Sequence, residues 1–184
     1  MHYSATSAQQ VTQEWHGAGL GAHGIHFKVP SDWPRGLCGV NSDTKDHAVV
    51  SFIWRNPANE GINVTIVTFK GGFTLLHGES ATAAQKLEEE YGFILADSTS
   101  RRAPGRYGGL KKANLGSVLG FLFITHFAGL EEIGQPSLEI YWTGYRVYQG
   151  KTQEVVIELD SSVNRRPFLQ TIIDSATVEQ DRAD

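Results

Sequence analysis

Two neighbouring segments near the end of the chain carry the clearest pattern of hydrophobic and polar positions. Thr152–Leu159 alternates between apolar and polar residues, and Leu138–Tyr148 is a long β-favouring run before it. Alternation with period two is typical of a half-buried strand. Gln149 and Gly150 between the segments suit the central positions of a tight turn. The pattern therefore predicts a β-hairpin, with Gly144 marking a bulge or bend in its first strand.

The pattern changes to helical spacing after this hairpin. Asn164 is a candidate N-cap for a helix, and Pro167 is tolerated in its first turn, where the N–H groups lack intrahelical partners. The apolar positions that follow are Leu169, Ile172, Ile173 and Ala176. They lie on one face of a helix, so the sequence predicts an amphipathic helix packed on the sheet.

Four segments further upstream are rich in β-branched and aromatic residues, which favour strands. They are Ile25–Val29, Ala48–Trp54, Ile62–Phe69 and Gly120–Phe127. The second and third are separated by a short run of turn-forming residues, which predicts an antiparallel hairpin. The fourth is apolar on both faces, which is typical of a central strand covered on both sides.

One more helix is predicted over Ala81–Tyr91, where apolar residues recur at helical spacing. Thr82 and Gln85 have the spacing of a capping box, and Gly92 suits the position just after a helix. Residues 35–47 are polar and rich in turn-forming types, which predicts a loop.

The elements follow the order strand, hairpin, helix, three or four strands, helix. This order favours an α+β fold with an antiparallel β-sheet flanked by helices, an α/β/α sandwich. We expect a flexible N-terminal lead over residues 1–24, a single domain over 25–178 and a C-terminal tail over 179–184 that frays.

Composition narrows the class of protein. The chain has 184 residues, 40% of them hydrophobic and 20% charged, with a net charge of −4. This balance favours a globular domain and argues against a nucleic-acid partner, which usually requires a basic surface. No run is long enough to predict a transmembrane segment. The N-terminus lacks the pattern of a signal peptide and suits either a mature exported protein or a cytosolic one.

The sequence contains none of the common catalytic or metal-binding strings, so no cofactor and no metal are expected. Cys38 is the only cysteine and is expected to be a small buried residue. The glycine-rich stretch His16–Gly24 lacks the preceding strand and following helix of a phosphate-binding loop, which leaves a flexible connector. The histidines that could serve an enzyme are His126 and the pair His23 and His26.

A basic, glycine-bearing segment stands out against the acidic background. Its candidate partner-binding residues are Arg101, Arg102, Arg106, Tyr107, Lys111 and Lys112. Arginine pairs well with carboxylates, so the segment could contact the acidic surface of another protein. The alternative is a solvated loop whose charges balance acidic residues elsewhere in the chain.

Three stretches give the chain a resemblance to the PsbP-like superfamily, which includes the photosystem PsbP proteins, the Ran-binding Mog proteins and the bacterial DcrB proteins. Phe27–Trp33 resembles the family's opening strand and its Pro-x-x-Trp corner. The helix over Ala81–Tyr91 follows a hairpin, as in the family. The closing hairpin and helix, ending in Thr171–Ser175, are similar to the family's last elements. The resemblance covers residues 25–178.

The resemblance implies a non-catalytic accessory module that binds another protein, such as an assembly factor, a secretion chaperone or a toxin-neutralising immunity protein. It implies no catalytic residues. Two other hypotheses come from the residues themselves. One is a small hydrolase using His126 or the pair His23 and His26. The other is a small-ligand or anion binder that uses the open face of the sheet.

Overall fold

A seven-stranded antiparallel sheet forms the centre of the molecule. The computed structural model describes residues 14–98, 107–127, 133 and 137–182. The strands of this main sheet are, in chain order, β3 (Arg35–Asp43), β4 (His47–Arg55), β5 (Gly61–Phe69), β8 (Tyr107–Lys112), β9 (Gly120–His126), β10 (Leu138–Tyr148) and β11 (Lys151–Ser161). Their order across the sheet is β3-β4-β5-β11-β10-β9-β8. The carboxyl-terminal hairpin thus lies in the middle of the sheet.

The remaining elements pack on the two faces of the main sheet. Helix α1 (Ala83–Ser98) follows a short hairpin of β6 (Phe73–Thr74) and β7 (Ser80–Ala81) and packs on one face. The other face carries helix α2 and a three-stranded sheet. These elements are β1 (Trp15–Leu20), β2 (Ile25–Pro30), α2 (Arg166–Asp174) and β12 (Thr177–Val178). The α+β class with an antiparallel sheet is therefore confirmed. Among the described residues, no helix is both long and apolar enough to cross a bilayer.

Alternation along the strands divides the hydrophobic core into two parts. The larger part lies between the main sheet, α2 and the three-stranded sheet; Ile140, Val155 and Ile157 point into it and are at most 1% exposed. The smaller part lies under α1 and is largely aromatic, with Phe121 and Tyr145 among its residues. The larger part includes residues of five strands of the main sheet, β4, β5, β9, β10 and β11.

Several predicted elements are confirmed. Strand β10 has the predicted bounds, and Gln149 and Gly150 form the turn, with φ of 51° and 68°. The Thr82 amide donates to the Gln85 side chain at 2.9 Å, and the Gln85 amide donates back to the Thr82 hydroxyl at 3.3 Å. The apolar stripe of α2 is buried, as predicted. Trp33, in the Pro-x-x-Trp corner, is 2% exposed.

Other predictions are wrong. Part of the expected glycine-rich connector forms β1, because Trp15–Leu20 pairs with β2, and residues 35–43 form β3. Backbone pairing with a neighbouring strand outweighs the low β propensity of these segments. Helix α1 continues through Gly92 to Ser98. Asn164 lies within a 3₁₀ turn, Val163–Arg165, and does not cap α2.

Gly144 makes room for a side chain and does not mark a bulge. The register of β10 with both neighbouring strands is continuous at this position. A Cβ on Gly144 would lie 2.4 Å from the Trp142 ring, and a Cβ on Gly120 would lie 2.5 Å from the same ring. The indole is fully buried and donates to the Ala113 carbonyl at 2.8 Å. The two glycines thus form the slot that holds Trp142.

The expected fraying tail is hydrogen bonded as far as Asp181. The amide of Glu179 donates to the Gly24 carbonyl at 2.9 Å, and that of Asp181 donates to Val147 at 2.8 Å. The fully buried Arg146 donates to the carbonyls of Glu179 at 2.7 Å and His23 at 2.6 Å. Burial lowers the pKa of Arg146 to about 10. One arginine therefore ties both ends of the described chain to β10.

Candidate interaction surface

The structure tests little of the predicted basic segment. Arg101, Arg102 and Arg106 lie outside the described residues, as does the side chain of Tyr107. Lys111 and Lys112 are exposed on β8. The Lys112 ammonium lies 2.5 Å from the carboxylate of Glu88 and 5.4 Å from the centre of the Tyr91 ring. Lys112 thus pairs with α1 of its own chain, and a partner-binding role for the segment stays a prediction.

The candidate catalytic histidines lie apart. His23 packs against Phe52 of the main sheet, with 5.7 Å between ring centres. Burial lowers the pKa of His23, and the charges of Arg146 and Lys151 lower it further. His26 lies on the outer side of β2, where its Nε2 is 3.6 Å from the Glu179 carboxylate. His126 is exposed at the end of β9.

The glycine-rich stretch borders a shallow groove. The groove has a volume of about 410 Å³ and is lined by Gly17, Gly19, His26, Lys28 and others. The stretch itself runs from β1 through a 3₁₀ turn into β2, so no helix N-terminus faces the groove. Its geometry is therefore unlike that of a phosphate-binding loop. Within the described ranges, no group of three or more His, Cys, Asp or Glu residues could hold a metal ion.

A more distinctive feature is the part of the main sheet that α1 leaves uncovered. On one face of the main sheet, helix α1 packs on β8, β9 and β10, and Phe73 of β6 packs on Phe69 at the end of β5, with 5.5 Å between the ring centres. The rest of that face, over β4, β5 and β11, lies beyond α1. We call this area the open face. Its positions follow from the strand register. They are Val49, Ser51, Ile53, Arg55, Asn63, Thr65, Val67, Glu154, Val156, Glu158 and Asp160.

One half of the open face is apolar. Val49 lies opposite Val67, and Thr65 lies opposite both Ser51 and Val156. The hydroxyls of Ser51 and Thr65 are 2.9 Å apart and satisfy each other. The valines are part-exposed, although a sheet face of this kind is normally covered by a helix or a second sheet. Such a surface suits contact with another polypeptide.

The other half is acidic and continues onto β10. The register places Glu139 opposite Asp160 and Tyr141 opposite Glu158. The Tyr141 hydroxyl donates to the Glu139 carboxylate at 2.8 Å, and Thr125 donates to the same oxygen at 3.1 Å. Three carboxylates therefore lie on two adjacent cross-strand rows.

Burial affects how these carboxylates ionise. It raises the pKa of Glu158, and the charges of Glu139 and Asp160 raise it further. Burial also raises the pKa of Asp160, against the opposing effect of Arg55, whose guanidinium lies 2.9 Å away. The pKa of Tyr141 is raised by burial and by its bond to Glu139. Groups perturbed in this way are over-represented at functional sites.

Comparison with known proteins concerns the fold. No family model matches the chain, and no curated protein matches it. The solution structure of cyanobacterial PsbP (CyanoP) from Synechocystis sp. PCC 6803 is similar to it, with 12% identity, a TM-score of 0.47, and coverage of 95% of this chain and 98% of that chain. The crystal structure of LpqN, involved in cell envelope biogenesis of Mycobacterium tuberculosis, is similar with 14% identity, a TM-score of 0.46 and coverage of 90% of each chain.

A PsbP structure, the family named from the sequence, is thus among the solved structures to which the chain is similar. At these identities the likeness concerns the fold and says nothing of the site. The open face is described from the residues of this chain alone.

Proposed function

We propose that this chain is a non-catalytic accessory module that binds another protein through the open face. The observation that supports the proposal is an area of the central sheet, over β4, β5 and β11, that lies beyond the strands on which α1 packs. The area presents part-exposed valines beside carboxylates. An apolar area with a polar margin is the usual composition of a protein interface.

The finer parts of the proposal follow from the same surface and from the sequence. The module would act as an assembly factor, secretion chaperone or immunity protein, and its basic segment around Lys111 would add a contact with an acidic part of the partner. The layering would be an α/β/α sandwich in which the three-stranded sheet completes the layer formed by α2.

Site-specific photocrosslinking in the native host tests the proposal. A benzophenone amino acid placed at Val156 should give a covalent adduct with one discrete protein, identified by mass spectrometry. Matched chains carry the crosslinker at Lys28 or Arg166, which are exposed on elements of the opposite side. Adducts from these control positions alone, or none from Val156, would contradict the proposal.

The basic segment needs a separate measurement. If it contributes to binding, a crosslinker at Lys111 should give the same adduct as one at Val156. Charge reversal at Arg101, Arg102 and Arg106 should then lower the yield of the Val156 adduct. An unchanged yield would remove the segment from the proposal and leave the open face in place.

A further inference from the structure

The charges around the open face are unequally paired. Arg55 pairs with Asp160 at 2.9 Å, and Lys86 of α1 pairs with Glu89 at 2.8 Å and with Glu90 at 3.1 Å. In the part of the chain that the structure describes, Glu139 and Glu158 form no ion pair. Arg55 and Lys86 thus pair with other carboxylates, and Arg55 acts on Glu158 only through its charge at a longer distance.

Neutral groups hold these two carboxylates in place. Tyr141 and Thr125 donate to Glu139, and the neutral side chains of Asn63 and Tyr141 interact with Glu158. Hydrogen bonds from neutral donors fix the position of a carboxylate without cancelling its charge. The half-buried site therefore has a negative potential that a cation from outside could match.

The residues of β11 that lie on the open face also have a regular spacing. Along β11 the positions on the open face are Glu154, Val156, Glu158 and Asp160. Side chains on one face of a strand repeat about every 6.7 Å, and an extended peptide laid on the face has the same repeat. A segment with basic, apolar, basic and basic side chains at alternate positions would match the four residues in order.

From this juxtaposition we infer that the open face docks an extended cationic segment of a partner protein along β11. Its Lys or Arg side chains would lie on Glu154, on Glu158 and on Asp160 with the adjacent Glu139, and an apolar side chain would lie on Val156. The inference rests on the proposed function and adds the chemistry of the partner. Charge complementarity selects this occupant, because an acidic segment would be repelled by the same carboxylates.

A synthetic peptide provides a direct probe. Fluorescein-labelled SRSVSRSRS should bind the full-length chain in an anisotropy titration at low salt, and binding should weaken as NaCl is raised, because the contact is electrostatic. The matched peptide SESVSESES should not bind. Equal binding of both peptides, or no binding of the basic one, would overturn the inference.

Paired variants identify the surface. Glu139→Gln with Glu158→Gln removes two charges from the face, and Asp46→Asn with Glu79→Gln removes two from exposed turns elsewhere. The first pair should weaken binding of the basic peptide by about tenfold or more, and the second should leave it within about twofold. An equal effect of the two pairs would mean that net charge, and not the open face, attracts the peptide.

The two proposals can fail separately. If Val156 crosslinks to a partner while the basic peptide does not bind, the inference about charge is wrong and the proposed function stands. If Val156 gives no adduct in the native host, the proposed function fails whatever the peptide does.

Discussion

The Glu158 carboxylate combines two properties that seldom occur together in a side chain with a purely structural role. It is half-buried, and its described neighbours include the neutral side chains of Asn63 and Tyr141, while Arg55 acts on it only through its charge. A partly buried charge without a directly paired cation destabilises the folded state. Residues that lower stability in this way are commonly found at functional sites. The single side chain thus points to the same surface as the uncovered valines.

The effect of Glu158 on stability should depend on pH. Its folded-state pKa is raised by burial, so the folded state binds the proton more tightly than the unfolded state does. The destabilisation is absent below the unfolded pKa and grows as pH rises through the folded pKa. Glu158→Gln should therefore raise the thermal midpoint at neutral pH and leave it nearly unchanged at pH 4. Glu79→Gln, in an exposed turn, is the control. A lower thermal midpoint for Glu158→Gln at neutral pH would contradict the conclusion that the charge of Glu158 destabilises the folded state.

The Trp142 slot gives a second prediction at the scale of one residue. Gly144→Ala would place a Cβ 2.4 Å from the buried indole and should lower the free energy of unfolding by about 1–3 kcal/mol. Gly92→Ala, within α1 and with no atom within 4 Å of the added Cβ, should raise it by up to about 1 kcal/mol. Urea denaturation measures both. Equal effects would show that the slot around Trp142 is not tight.

At the scale of elements, the hairpin of β10 and β11 shows how far the sequence could lead. The turn at Gln149 and Gly150 is recognisable from its residues. Once Tyr148 lies opposite Lys151, the antiparallel register also places Glu139 opposite Asp160. The acidic half of the open face could thus have been inferred from the predicted turn and from the period of two in the carboxylates of β11.

Other elements could not be predicted from local sequence. WHGAGL has the composition of a connector, yet it forms β1 because β2 supplies its hydrogen-bond partners. The extension of α1 beyond Gly92 likewise follows from packing, since Ile94 contacts the aromatic core. Tertiary contacts outweigh local propensity in such cases. The extent of the open face depends on where α1 lies, which no local pattern in the sequence specifies.

The end of the chain behaves as part of the central hairpin. The Asp181 carboxylate accepts hydrogen bonds from the amides of Gln149 at 2.9 Å and Gly150 at 2.8 Å. These bonds lower its pKa, so the contact should persist at mildly acidic pH. Asp181→Ala should speed hydrogen exchange of these two amides and leave the centre of β10 protected. Asp46→Asn is the control, and unchanged exchange at the turn would show that the tail does not hold it.

At the scale of the whole molecule, the two faces of the main sheet are packed against different elements. One face packs against α2 and the three-stranded sheet, and α1 packs on β8, β9 and β10 of the other. On the first face the positions of β11 from Gln153 to Leu159 are buried, whereas Val50 and Phe52 of β4 are part-exposed. On the open face most positions are part-exposed, and Ser51 is buried. Substitutions on the two faces should therefore have different consequences even at neighbouring positions of one strand.

Val155 and Val156 provide the matched test of this separation. They are adjacent in β11 and point to opposite faces; Val155 is 0% exposed, and Val156 is part-exposed. Val155→Ala should lower the free energy of unfolding by about 2 kcal/mol, because two methyl groups leave a closed core. Val156→Ala should lower it by less than about 1 kcal/mol, because part of that side chain already contacts water. Chemical denaturation measures the difference.

Partner crosslinking from Val49 should then decrease in Val156→Ala and persist in Val155→Ala at temperatures where both chains are folded. The reverse order would assign binding to the covered face.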